Sequence, residues 1–141
     1  MTVAYRAGRR RWLLLPAAIL VLSGLAAGCS SSKPAYCTDA ANLKTSVSNL
    51  GNADVAKNGL GSLQSALSSV QTNANRFASD AKSAFPSQTM ALQKSVSSLG
   101  AAITSAKGQP PLTAAAAVAS SVAQVKTSAS ALQSAVSGNC Q

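Results

Sequence analysis

The chain has 141 residues, 47% of them apolar, which is enough for one hydrophobic core and short for two domains of ordinary size. Its formal charge is +9, but Arg6, Arg9, Arg10 and Arg11 precede the first hydrophobic run. The other cations, from Lys33 to Lys126, are spread thinly along the chain instead of forming the track that a nucleic-acid backbone requires, so no nucleic acid is expected as a partner. There is no His and no Glu, and the only Trp is Trp12, so acid–base chemistry and metal ligation would fall to Asp39, Asp54 and Asp80, far apart in sequence. Neither catalysis, a metal nor a cofactor is expected.

Residues 1 to 29 fall into three zones. A basic start runs to Arg11, an apolar run extends from Trp12 to Leu22, and the small-residue stretch Ser23-Gly24-Leu25-Ala26-Ala27-Gly28 leads to Cys29. This is the grammar of a secretion signal. The competing reading is a membrane-spanning anchor, for which the apolar stretch from Trp12 to Ala27, about 16 residues interrupted by Pro16, falls short of the roughly 20 that a spanning helix needs.

Within this segment Leu25-Ala26-Ala27-Gly28-Cys29 resembles the lipobox of bacterial lipoproteins. The run Ser30-Ser31-Ser32 is similar to the tether of many such proteins from high-GC Gram-positive bacteria. Ala26 stands where the family most often has Leu, and Leu25 lies one place earlier. The resemblance implies that the Cys29 thiol receives a diacylglyceryl group and that a dedicated peptidase cuts just before it. Residues 1–28 would then be the signal peptide and 29–35 a lipidated tether at the extracytoplasmic face of the cell membrane. Ordinary cleavage near Ala27 or Gly28, giving a soluble secreted product, is the alternative. Arg9-Arg10 followed by Arg11-Trp12-Leu13 also resembles the twin-arginine export signal, and the choice between the two export routes stays open.

Three cysteines are an awkward number in an exported protein, but committing Cys29 to lipid leaves Cys37 and Cys140 as one pair. A bond between them closes a loop of about 100 residues, for which the chain-entropy model gives about 4.7 kcal/mol of stabilisation. Between Cys29 and Tyr36 the tether from Ser30 to Ala35 spans at most about 20 Å when fully extended, so the domain is expected close to the bilayer.

Residues 36–141 carry almost no strand signal. Instead, apolar residues recur at steps of three and four: Tyr36, Ala40, Leu43, Val47, Leu50; then Ala53 to Ala84 through Leu63, Val70 and Phe77; then Leu92, Val96, Leu99, Ile103; then Ala115 to Val136 through Val122 and Leu132. The pattern predicts helices over about 38–50, 53–85, 87–107 and 112–137. Thr38 with Asp39 is expected to open the first, Asp54 to sit in the first turn of the second, and Ser87 to cap the third. The second helix is carried through Gly59 and Gly61 despite a propensity cost of up to ~1 kcal/mol each. Lys107 lies at the carboxyl end of the third helix, where positive charge is favoured, and Gly108-Gln109-Pro110-Pro111 separates it from the fourth.

The expected fold is all-α, an antiparallel four-helix bundle closed by a terminal disulfide. Short connections make neighbouring helices antiparallel, and an even number returns the chain to its starting end, where Cys37 and Cys140 must meet. The first helix is much shorter than the second. That leaves two alternatives for the region from Phe77 to Phe85: an apolar groove able to take a ligand, or closure by neighbouring helices. Lys94-Ser95 is the kind of spacing that a Ser–Lys nucleophile would use, but it is at chance level in a chain this rich in both residues. Functionally the sequence points to a lipid-anchored interaction or structural module whose partners are the membrane, through Cys29, and an envelope protein or a second copy of itself. The alternative is a module binding a lipid or other apolar ligand at Phe77 and Phe85.

Overall fold

The three-four spacing of apolar residues becomes four helices in a computed structural model, which describes residues 33–141. They are α1 (Ala35–Gly51), α2 (Val55–Ala81), α3 (Pro86–Ala106) and α4 (Pro111–Ser137). Helix accounts for 84% of this part, and there is no strand among the described residues. The signal peptide expected at 1–28 and the lipidated Cys29 lie outside the described residues.

Each boundary follows from local chemistry. α1 begins at Ala35, ahead of the expected start, because the Pro34 carbonyl already accepts from the Cys37 N–H at 2.9 Å. Thr38 and Asp39 therefore lie inside the helix and do not cap it. Asp54 is the N-cap of α2, its carboxylate accepting from the Lys57 backbone N–H at 3.0 Å, which satisfies one of the donors that a helix start leaves free. α2 stops at Ala81 and not at Phe85. Pro86 disfavours helical geometry at the residue before it, so Phe85 adopts φ −132° and ψ 56°. The Ala84 and Phe85 N–H groups both fold back onto the Ala81 carbonyl. Phe85 then occupies the N-cap position of α3 with Pro86 as its first residue, so the expected Ser87 cap is displaced. Lys107 is the C-cap of α3, and Gly108, at φ +82°, turns the chain toward Pro110 and Pro111.

One expectation fails inside an element. The second helix does not run smoothly through its glycines, because Gly59 has φ 70° and ψ −179°, a conformation essentially restricted to glycine, which kinks α2 after its first turn. Gly61, two residues on, carries no such conformation.

α1 packs on α2, α2 on α3, α3 on α4, and α4 back on α1; α2 and α4 also touch across the diagonal, which keeps α1 and α3 apart. The core that results is a stack of Leu43, Leu50, Leu63, Leu92, Leu99 and Leu132 with Val70, Val125, Ile103 and the single large ring of Phe77, all essentially without solvent exposure. Alanines such as Ala74, Ala106, Ala114 and Ala129 fill the remaining buried positions, letting the helices approach closely while each layer buries little apolar area. Two serines are tolerated in this core because each satisfies itself: the Ser46 hydroxyl donates to the Leu43 carbonyl at 2.9 Å and that of Ser95 to the Leu92 carbonyl at 2.8 Å. Cys37 and Cys140 are joined by a disulfide, with Cα atoms 5.6 Å apart. No described helix is long and apolar enough to cross a membrane.

Candidate interaction surface

The cysteine end of the bundle gathers the start of α1, the end of α2, the start of α3 and the end of α4. Tyr36, in the first turn of α1, lies edge-on to Phe85 at a centroid distance of 5.5 Å and edge-on to Phe77 at 6.4 Å, and the two Phe rings are 6.3 Å apart. Phe77 is 0% exposed and Phe85 9%, so the structure brings the two residues together but leaves no open groove at them. Two local events close it. The early start of α1 puts Tyr36 over the rings, and the turn after Ala81 folds Phe85 back onto Phe77. Of the two alternatives for this region, the structure takes closure. Edge-to-face rings of this kind stabilise by about 0.5–1.5 kcal/mol each beyond the area they bury.

Beside this cluster the structure brings together two of the three aspartates. Asp39 of α1 faces Asp80 of α2, with Arg76 nearby. The Asp39 carboxyl is held above the usual aspartate range, first by burial and then by hydrogen bonding to Asp80 and by its like charge, against the lowering influence of the Arg76 guanidinium. Asp54 sits at the opposite end as the α2 cap. Among the described residues no group of three or more His, Cys, Asp or Glu side chains comes together.

The more extended feature is the outer face of α4. After Asp80 the chain contains no acidic residue, yet Lys82, Lys94, Lys107 and Lys126 all follow. α3 and α4 are consequently cationic without internal compensation, whereas α1 and α2 carry or adjoin every aspartate. Shallow grooves flank α4 on both sides. Toward α3 the groove is lined by Lys94, Ser95 and Ser98 facing Gln124, Thr127 and Ser128. Toward α1 it is lined by Lys44, Ser48 and Asn52 facing Lys126, Ser130 and Gln133. A third groove, between α2 and α3, is lined by Gln71, Asn75, Gln93 and Ser97 without a charge. In the α1–α4 groove the Lys126 stem lies along the end of α1, its Cδ 3.5 Å from where a Cβ on Gly51 would stand, an ordinary contact distance. The Lys126 ammonium is there favoured by the carboxyl end of that helix.

Lys44, Lys94 and Lys126 form no ion pair; among the described residues the one pair is Lys57 with Asp54, at 3.5 Å. Lys44 and Lys126 are distant in sequence, and only the packing of α1 on α4 brings them to one groove. The signal in the sequence was the missing acid after Asp80, which total charge conceals. Lys94-Ser95 does not make a nucleophile, since the Ser95 hydroxyl is buried and donates to its own helix. The grooves offer amides, hydroxyls and ammonium groups, a chemistry of binding. Against protein-family models, curated proteins and solved structures, the chain finds no match.

Proposed function

We propose that the chain is an extracytoplasmic lipoprotein, anchored through a lipid on Cys29, whose four-helix bundle serves as a non-catalytic interaction module at the membrane surface. The observation that carries this reading is the Cys37–Cys140 disulfide. Such bonds persist in oxidising compartments and are rare where thiols are kept reduced. Its position adds support, because it clamps the bundle at the end from which the chain continues toward Cys29. The lipobox-like sequence before Cys29 and the short tether then account for an anchor close to the bilayer.

The interaction half of the proposal draws on the polar, cation-rimmed grooves beside α4. A ligand-binding module for a lipid would instead need access to Phe77 and Phe85, which Tyr36 covers. The test is the intact mass of protein extracted from the membrane fraction of the cells that make it. The expected species lacks residues 1–28 and carries a diacylglyceryl group on Cys29; an unmodified Cys29 overturns the anchor. Cross-linking in intact cells tests the second half, with repeated recovery of a specific envelope component as the expected result.

A further inference from the structure

We propose that the outer face of α4 binds an anionic polysaccharide of the cell envelope, a hydroxyl-rich chain carrying carboxylate or phosphate groups, through Lys44, Lys94 and Lys126. The inference rests on the extracytoplasmic placement argued above, which puts such polymers within reach.

Charge complementarity is the first support. The stretch beyond Asp80, which carries Lys94 and Lys126, has no acidic residue, and none of Lys44, Lys94 and Lys126 forms an ion pair, so their charge is available to an anion. Placement is the second. Lys44 and Lys126 line the groove between α1 and α4 and Lys94 lines the groove between α3 and α4, so cations stand on both sides of α4. The third support is what surrounds them. Ser98, Gln124, Thr127 and Ser130 offer donors and acceptors suited to a hydrated, hydroxyl-bearing chain.

The same surroundings argue against the other polyanions. A helix that lies in a bilayer surface inserts bulky apolar side chains beside its cations. Among the described residues the large exposed apolar ones are Met90 and Leu112, toward opposite ends of the bundle and outside both grooves. Single-stranded nucleic acid is held by aromatic platforms on which bases stack. Tyr36, Phe77 and Phe85 are instead packed against one another at the cysteine end. With no large aromatic ring exposed among the described residues, recognition runs through charge and hydrogen bonds, so binding is weak per site and strongly weakened by salt.

The experiment uses the full chain in a nonionic detergent, with polygalacturonate as the probe and neutral dextran of similar length as the control. The triple variant K44Q/K94Q/K126Q is compared with K33Q/K82Q/K107Q, which loses the same charge elsewhere. Gln and Lys have nearly equal helix propensity, and unchanged circular dichroism checks that both variants remain folded. The expected result is that the first triple lowers affinity for polygalacturonate about tenfold or more and the second about twofold or less, at ionic strength near 0.05 M. Equal losses in both triples, no binding to polygalacturonate, or equal binding to dextran overturns the proposal. So does equal or tighter binding to phosphatidylglycerol-containing vesicles that depends on the same three lysines, which would make this a membrane face. Because this binding is measured in solution, its failure leaves the anchor intact, whereas an unmodified Cys29 in the mass measurement removes the anchor whatever the binding shows.

Discussion

At the cysteine end three aromatic rings, a covalent bond and the proline that starts α3 converge on a few residues, whereas at the opposite end the chain reverses at the Asp54 cap and at Gly108, α2 kinks at Gly59, and the large apolar residue Leu112 is 77% exposed. One end is held by burial and cross-linking, the other by backbone conformation and capping. The difference teaches that order in this bundle is graded along its length. Elements with few buried contacts open at lower free energy than the core, so the glycine end is where opening should begin, with the cysteine end last.

The largest expected effect breaks the strong end covalently. Replacing both Cys37 and Cys140 with Ser removes a cross-link spanning 103 positions and should lower unfolding stability by about 4.7 kcal/mol at most, read by urea denaturation. A loss below about 1 kcal/mol would show that the aromatic cluster alone secures that end. Next, Phe77→Ala removes the largest fully buried side chain and should cost toward the low end of about 3–5 kcal/mol, since Tyr36 and Phe85 can lean into the space.

At the weak end the two glycines of α2 should respond with opposite signs. Gly59→Ala forces a side chain onto φ +70° and should destabilise by about 1–3 kcal/mol, although nothing lies within 4 Å of the new Cβ. Gly61→Ala, equally unobstructed, should stabilise by up to about 1 kcal/mol through helix propensity. Thermal unfolding that moved both in one direction would remove the kink from the account.

The smallest effect concerns Asp39. Its folded-state carboxyl holds its proton to a higher pH than the unfolded one, so the folded state binds more protons between the two values. Stability should fall as pH rises from the unfolded value through the folded one, and stay lower at neutral pH. Asp80→Asn removes the like charge and should bring the Asp39 titration down, as followed by carboxyl carbon NMR, but not fully, because burial is the larger cause. An unmoved titration would assign the whole displacement to burial.

Much of this architecture was legible before any coordinates. The three-four recurrence from Tyr36 to Val136 indicates four helices because burying one face of each is the only way to remove those residues from water. The pairing of Cys37 with Cys140 follows from parity and from the fate expected for Cys29. The ends of the helices were less legible. Pro34 and Pro86 each moved a boundary by a few residues, since caps compete locally by margins of about 1 kcal/mol that periodicity does not register. The kink at Gly59 is illegible for a related reason: an average propensity cost says nothing about which backbone conformation a glycine adopts.

The amino-acid sequence by itself determined the helix count, their antiparallel order, the disulfide partners and the absence of acid beyond Asp80, all of which depend on residue type and spacing along one dimension. Whether Phe77 and Phe85 would face solvent, and whether Lys44 would meet Lys126, was decided only in the tertiary structure. Burial and electrostatic grouping depend on distances between elements, and those are set when helices pack side by side through contacts that no single segment contains.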